Sequence, residues 1–163
     1  MPDVSRIAFR APTTEDGSAV YRLVERTGIL DLNSCYLYLL LCTEYADTCV
    51  VAEGPDGIAG VVTGMRLPAR PESIFAWQVG VDPQAQGAGL GKRLLRAFLE
   101  RPGARGATAL ETTISPGNAA SQALFRAIAR EHGAEVSVRA YFRTDHFPPG
   151  HDAEQHYHIS PLR

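Results

Sequence analysis

Gln86-Gly87-Ala88-Gly89-Leu90-Gly91 is the stretch of this sequence that decides the fold, because it joins a strand to a helix through three glycines. The strand ends at Val79-Gly80-Val81, and apolar residues with helical spacing run from Leu90 to Leu99. Glycines at a helix start leave backbone N–H groups open to an anion, which the helix dipole also favours. The stretch therefore predicts a phosphate-binding loop, and an ordinary tight strand-to-helix turn is the alternative.

Two familiar phosphate-binding loops fit this spacing badly. A P-loop requires glycine at position 86 and Ser or Thr at position 93, where this chain has Gln86 and Arg93. The dinucleotide-binding fingerprint requires its third glycine at position 92, which is Lys92.

Composition predicts one globular domain over residues 1–163. The chain is 45% hydrophobic and 21% charged, as is typical of soluble proteins. A net charge of −2 and a pI near 6.2 give no electrostatic reason to expect nucleic acid or an anionic membrane as a partner. The first residues lack an apolar signal region, and the longest apolar run, from Leu37 to Cys42, is too short to span a bilayer. We therefore expect a cytoplasmic protein.

The cysteines indicate neither a disulfide framework nor a zinc finger. Cys35, Cys42 and Cys49 are odd in number and contain no CxxC pair. Buried thiols that act as small apolar side chains are the favoured interpretation, with a catalytic nucleophile as the alternative.

Hydrophobic periodicity and turn residues predict the order β α α β β β α β α β β. Antiparallel hairpins followed by strand-helix-strand-helix imply an α/β fold, with a central mixed sheet and helices on both faces. Gly28 is expected to end the first helix, Asp31 or Asn33 to cap the second, and Gly133 to end the fourth.

The spacing Gln86-x-x-Gly89-x-Gly91 after a strand resembles the pyrophosphate loop of the GNAT acetyltransferases. The order of elements is also similar to the GNAT fold, whose central strands splay apart beside the cofactor. The resemblance implies acetyl-coenzyme A as the acyl donor. It also implies that backbone N–H groups near Val79 and Val81 bind the pantetheine arm.

A narrower resemblance covers nearly the whole chain, from about Phe9 to Pro161. It is to the L-2,4-diaminobutyrate acetyltransferases, the GNAT branch that begins ectoine synthesis. The similar stretches are Asp31–Tyr36, Thr48–Glu53, Trp77–Pro83, Leu110–Ser121, Leu124–Ala127, Gly150–Glu154 and Tyr157–Ile159. This resemblance implies transfer of acetyl to the γ-amino group of diaminobutyrate by a cytoplasmic homodimer that serves osmoadaptation.

A cationic amino acid substrate requires carboxylates for its amines and a path for the proton of the attacking amine. Asp31 and Glu154 are the acids predicted to bind the substrate, with Tyr36, Trp77 and His151 beside them. The base is Glu154 itself or a water held by Glu154 and Tyr36. Each residue also has a structural alternative: Asp31 as a helix cap, Trp77 as core, and His151 and Glu154 as parts of a solvated loop.

The cofactor is predicted to contact the residues of the glycine loop and the start of the fourth helix. These residues are Gln86, Gly87, Ala88, Gly89, Leu90, Gly91 and Lys92, with Arg93 at the edge, then Asn118, Ser121 and Phe125. Many GNAT enzymes carry a tyrosine seven residues after this asparagine, where it protonates the leaving thiolate. Phe125 stands at that offset here and has no proton to give, so water or the Tyr36 hydroxyl is expected to act instead.

No metal is predicted. His151, His156 and His158 lack a completing ligand motif, and exposed strand histidines are the favoured interpretation of His156 and His158. Two alternative functions stay open at this point. One is acetylation of another small amine, amino acid or protein N-terminus. The other is a non-catalytic acyl-coenzyme A binding domain, which the phenylalanine at 125 favours.

Overall fold

The computed structural model describes residues 3–163; Met1 and Pro2, part of the segment predicted to lack a signal region, lie outside the described residues. The helices are α1 (Gly17–Thr27), α2 (Cys35–Glu44), α3 (Leu90–Leu99) and α4 (Ala119–His132). The strands are β1 (Ala8–Arg10), β2 (Val50–Gly54), β3 (Gly57–Leu67), β4 (Arg70–Val81), β5 (Ala109–Ile114), β6 (Glu135–Phe142) and β7 (Glu154–Ser160). The predicted order of elements is confirmed.

The sheet is mixed, with strand order β1-β2-β3-β4-β5-β7-β6. β4 and β5 pair in parallel from Ser73 to Phe75, whereas β5–β7 and β6–β7 are antiparallel. The chain divides into two compact units, of which the first comprises residues up to 66 and 76–105, and the second residues 67–75 and 106–163. β4 contributes its first half to the second unit and its second half to the first.

In the first unit, helices cover both faces of the strands. Val61 on β3 lies in a buried cluster with residues of α1 and α2, among them Leu23 and Tyr38. Its neighbour Gly60 points the other way, and a Cβ there would lie 2.6 Å from the Leu94 side chain of α3. The absence of a side chain at Gly60 therefore leaves room for Leu94 of α3 to pack against the sheet.

Turn chemistry sets the ends of the elements. Gly28 follows α1 with φ +66° and Gly133 follows α4 with φ +60°, and these left-handed conformations favour glycine. The prediction for the start of α2 is wrong: Ser34 is the cap, and its Oγ accepts a hydrogen bond from the Leu37 N–H at 3.3 Å. Neither Asp31 nor Asn33 fills that position.

An ion pair with a buried carboxylate lies at the start of α1. The guanidinium of Arg10 donates to both carboxylate oxygens of Asp16, at 2.7 and 2.8 Å, and the Thr13 N–H donates to the same carboxylate at 2.7 Å. The Arg10 hydrogen bonds outweigh the effect of burial and lower the pKa of Asp16. Arg10 also donates to Glu53, which is far more exposed, at 2.7 Å.

The cysteines behave as predicted for small apolar side chains at two of the three positions. Cys42 and Cys49 are buried and Cys35 is half-buried, and all three are free thiols. Burial raises the pKa of Cys42 to about 12 and that of Cys49 to about 11. Among residues 3–163, no helix is both long and apolar enough to cross a membrane.

Candidate active site

The residues that precede the glycine loop are fixed to the first unit. Asp82 caps a short 3₁₀ turn at Pro83–Ala85, and its Oδ1 accepts from the Gln84 N–H at 2.9 Å. Its Oδ2 accepts from the Arg26 guanidinium of α1 at 2.8 Å. Ala85 is buried, so the exposed loop begins from an anchored turn.

The glycine loop itself is exposed from Gln86 to Gly89. Gly87 and Gly89 have φ values of +83° and +73°, and a Cβ at either position would meet nothing within 4 Å. The first intrahelical bond of α3 runs from the Arg93 N–H to the Gly89 carbonyl at 3.2 Å. N–H groups in the turn before it have no intrahelical acceptor, and the positive end of the helix dipole lies there. Open space and main-chain donors together fit a diphosphate.

Two side chains at the loop have contacts within the protein. Gln86 Nε2 donates to the Val81 carbonyl at 3.4 Å, which ties the loop to the end of β4. The Arg93 guanidinium donates to the Val4 carbonyl at 2.9 Å and lies 5.0 Å from the Phe9 ring centroid. Arg93, which lies on α3, thus has a structural role, and its predicted contact with the cofactor stays a prediction.

The segment that contains Asp31 is held by a buried hydrogen-bond network. Gln78 Nε2 donates to the Asp31 carbonyl at 2.8 Å, and its Oε1 accepts from the Tyr38 hydroxyl at 3.0 Å. The Asn33 N–H in turn donates to the Tyr38 hydroxyl at 3.4 Å. The network fixes the main chain at Asp31, because Gln78 and Tyr38 are both buried. Sequence reasoning missed the roles of Gln78 and Tyr38, although Gln78 lies inside a stretch that carries the resemblance.

The remaining predicted residues of the first unit differ in exposure. The Tyr36 side chain at the start of α2 is 69% exposed. Trp77 is half-buried and packs against the buried cluster of the first unit, so the core interpretation has direct support. Val79 and Val81 are also half-buried and share one face of β4 with Trp77, since alternate residues of a strand point the same way.

In the second unit, the predicted cofactor residues lie in the first two turns of α4. Asn118 is the N-cap of that helix, and its side-chain oxygen accepts from the Ser121 N–H at 3.1 Å. Phe125 is buried. The capping bond gives Asn118 a structural role, and contact of these residues with a cofactor stays a prediction.

The sequence predicted that His151 and Glu154 both lie in a loop, and this is wrong for Glu154. Glu154 is the first residue of β7, where it pairs with Phe142 of β6. His151 precedes the strand; its ring stacks on Phe147 with centroids 3.9 Å apart, and its Nδ1 lies 2.6 Å from the Asp152 carbonyl.

A buried carboxylate–imidazole pair in the second unit was missed altogether. Glu111 of β5 and His156 of β7 are 1% and 2% exposed, and His156 Nε2 lies 2.7 Å from Glu111 Oε1. Arg70 Nε donates to both Glu111 oxygens, at 3.1 and 3.0 Å. The expectation that His156 is an exposed strand histidine is therefore wrong. The pattern of residue types along β7 does not reveal that His156 is buried, because its burial depends on β6 and β5 on either side.

Neighbouring charges and burial decide the protonation of this pair. Burial alone would raise the pKa of Glu111, but its polar neighbours, with Arg70 foremost, together outweigh burial and the pKa is lowered. Burial, together with the charges of Arg139 and Arg70, lowers the pKa of His156, although the hydrogen bond and charge of Glu111 act to raise it. The pair is therefore a carboxylate and a neutral imidazole at pH 7. No group of three or more possible metal ligands lies among the described residues.

The Acetyltransferase (GNAT) family matches residues 18–129, which contain the glycine loop and all of β2 to β5. The match covers more than half of the chain, and the chain belongs to the GNAT family of acetyltransferases. This confirms the class predicted from the glycine loop and from the order of elements.

The similarity to particular relatives is closer and spans nearly full length. The chain is 44% identical to an L-2,4-diaminobutyric acid acetyltransferase of Marinococcus halophilus, over 98% of this chain and 92% of the relative. It is also 44% identical to one of Bordetella parapertussis, over 99% of this chain and 92% of the relative. These identities confirm the narrower resemblance to the diaminobutyrate acetyltransferases.

A solved structure is similar at the level of the whole fold. It is the diaminobutyrate acetyltransferase EctA from Paenibacillus lautus in complex with L-2,4-diaminobutyric acid and coenzyme A. The match has a TM-score of 0.92 at 36% identity and covers 95% of each chain.

Proposed function

We propose that this chain transfers the acetyl group of acetyl-coenzyme A to the γ-amino group of L-2,4-diaminobutyrate, giving N4-acetyl-diaminobutyrate for ectoine synthesis. The observation that carries the proposal is the full-length similarity to a diaminobutyrate acetyltransferase solved with diaminobutyrate and coenzyme A. The exposed glycine loop at the start of α3 supports the same reaction, because it suits the diphosphate of the acyl donor.

For the donor, the first unit offers Val79, Val81 and the residues from Gln86 to Lys92. The loop would bind the diphosphate through main-chain N–H groups, which requires the left-handed conformations of Gly87 and Gly89. As the family resemblance implies, main-chain N–H groups near Val79 and Val81 would bind the pantetheine arm. Asn118 and Ser121 would contact the pantetheine or the 3′-phosphate side, and Phe125 would pack against the arm.

For the acceptor, acyl transfer requires a neutral amine, a path for its proton and donors for charge that develops on the carbonyl oxygen. Asp31, Tyr36 and Trp77 of the first unit and His151 and Glu154 of the second are the proposed substrate residues. Glu154 removes the amine proton directly or through a water shared with Tyr36. Gln78 supports Asp31 by fixing its main chain.

The leaving thiolate takes its proton from water or from the Tyr36 hydroxyl. Phe125 cannot supply it, because its side chain carries no ionisable group. A free thiol has a pKa near 8.5, so a strong acid is not needed for this step near neutral pH.

We also propose that the chain is one GNAT domain that acts as a homodimer in the cytoplasm during osmoadaptation. Exposed apolar side chains from the end of α1 to α2 support self-association: Ile29, Leu32, Tyr36 and Leu40. Sedimentation velocity tests the proposed homodimer, and a monomer at assay concentrations would contradict it.

The experiment that tests the function is an assay of thiol release from acetyl-coenzyme A with a panel of amines. The panel contains diaminobutyrate, diaminopropionate, ornithine, lysine and an N-terminal peptide, and NMR identifies the acetylated nitrogen. Turnover with diaminobutyrate at the γ-nitrogen is the expected result. Turnover only with another amine would favour a different acetyltransferase, and binding without turnover would favour a domain that has lost catalysis.

A further inference from the structure

The buried pair Glu111–His156 lies on the same sheet face as Glu154, the proposed base. Residues 154, 156 and 158 share one face of β7, because alternate residues of a strand point the same way. The register pairs Thr113 with His156 and Glu111 with His158, so Glu111 and His156 are diagonal neighbours on that face.

Glu154 also lies opposite a β-bulge. Ala140 pairs with Gln155 and Phe142 with Glu154, which leaves Tyr141 as the extra residue of β6. A bulge bends its strand and changes the direction of side chains beside it. The direction of Glu154 therefore depends on what holds this bulge in place.

His156 contacts the bulge directly. Its ring centroid lies 4.9 Å from that of Tyr141, at 40°. Arg139 Nε donates to His156 Nδ1 at 3.4 Å, and the Arg139 guanidinium carbon lies 5.5 Å from the Tyr141 ring centroid. One neutral tautomer satisfies both imidazole contacts, since Nε2–H then donates to Glu111 and Nδ1 accepts from Arg139.

We infer that His156, held by Glu111 and Arg70, is a positioning residue for Glu154: it fixes the bulge at Tyr141 that sets the direction of the proposed catalytic carboxylate. The inference rests on the proposed function. On one side, Glu111 of β5 holds the imidazole and is itself bound by Arg70 of β4. On the other side, Tyr141 and Arg139 of β6 contact the imidazole, so its position affects the bulge.

The test is a double-mutant cycle between His156 and Glu154, with His158→Gln as the matched control on the same strand face. His156→Gln is expected to lower kcat for diaminobutyrate by about tenfold and to change the KM for acetyl-coenzyme A by less than about twofold. In the Glu154→Gln background, the same substitution is expected to cost less than about twofold, because a positioning residue acts through the group that it positions. His158→Gln is expected to retain wild-type kinetics.

Wild-type kcat in His156→Gln, or losses that multiply in the double variant, would overturn the inference. If His156→Gln fails to fold, Tyr141→Leu at the half-buried bulge enters the same cycle with the same expected outcomes. A crystal structure of either variant with the bulge and Glu154 unmoved would overturn the inference whatever the activity. Failure of the proposed function has a different signature, namely a wild-type enzyme that does not acetylate diaminobutyrate.

Discussion

The two units of this protein present their polar groups in opposite ways. In the first, the loop from Gln86 to Gly89 is exposed and offers main-chain N–H groups, so its chemistry depends on backbone conformation. In the second, Glu111 and His156 are buried, and their chemistry depends on which side chains the strand register brings together. Adding a Cβ to a glycine of the loop should therefore impair the first region, whereas replacing the functional group of a side chain should impair the second.

Gly89→Val gives the largest effect and tests the backbone half of this contrast. Valine strongly disfavours φ +73°, so the loop must change conformation although a Cβ there meets no neighbour. Calorimetry is expected to show acetyl-coenzyme A binding weakened by more than about a hundredfold, because the diphosphate donors are lost. Gly133→Val is the matched control, with φ +60° at the end of α4 and open space for a Cβ. Equal loss of binding in both variants, or retained binding in Gly89→Val, would contradict the assignment.

Glu154→Gln tests the other part of this contrast, in which function depends on the chemical group of a side chain. The amide keeps the shape but cannot accept the amine proton, so kcat/KM for diaminobutyrate is expected to fall by more than about tenfold, or about 1.4 kcal/mol of transition-state stabilisation. Asp152→Asn, an exposed carboxylate two residues away, provides the control and should leave the kinetics unchanged. Unchanged kinetics in Glu154→Gln would remove this residue from the site.

Asp16→Asn tests how much a buried carboxylate of the first unit contributes to the free energy of unfolding. The substitution leaves Arg10 without its bidentate partner and is expected to lower the free energy of unfolding by about 2 kcal/mol. Urea denaturation measures the loss. Glu53→Gln removes the other carboxylate partner of Arg10 at the same 2.7 Å distance, but from an exposed position, and should cost much less. Equal costs would show that burial does not decide the strength of these pairs.

The smallest expected effect is a pH dependence of stability from His156. Its pKa is lowered from 6.5 in the folded state, so as the pH falls below about 6.5 the unfolded chain binds the proton first and stability decreases. Glu111, whose pKa is also lowered, adds a further loss at more acidic pH. Urea midpoints between about pH 7.5 and pH 5.5 should therefore decrease less steeply in His156→Gln than in the wild type or in His158→Gln. Identical slopes in all three proteins would contradict a neutral, buried His156.

The sequence predicted the features that depend on neighbours along the chain. The glycine loop, the left-handed ends at Gly28 and Gly133 and the order of elements all follow from local patterns. The residues at 31–36 and 150–154 came from family resemblance, and composition alone would not have singled them out.

The features that were missed depend on distant partners. Asp31, Asn33 and Ser34 are all residue types that cap helices well. Ser34 is the cap of α2 in the structure, while the main chain at Asp31 is held by Gln78, which is distant in sequence. Glu154 starts β7 because it pairs with Phe142, although the polar residues 154–156 carry no apolar alternation. His156 is buried for the same reason, since its partners come from β5 and β6.

The buried thiols have a consequence at the bench. Aromatic disulfide reagents react with thiolates, and Cys42 and Cys49 form thiolate only at strongly alkaline pH while the chain is folded. The native protein should thus add little background colour to a measurement of released coenzyme A, apart from a contribution by half-buried Cys35. A sudden rise in titratable sulfur during storage would report loss of the native state before any drop in turnover is measured.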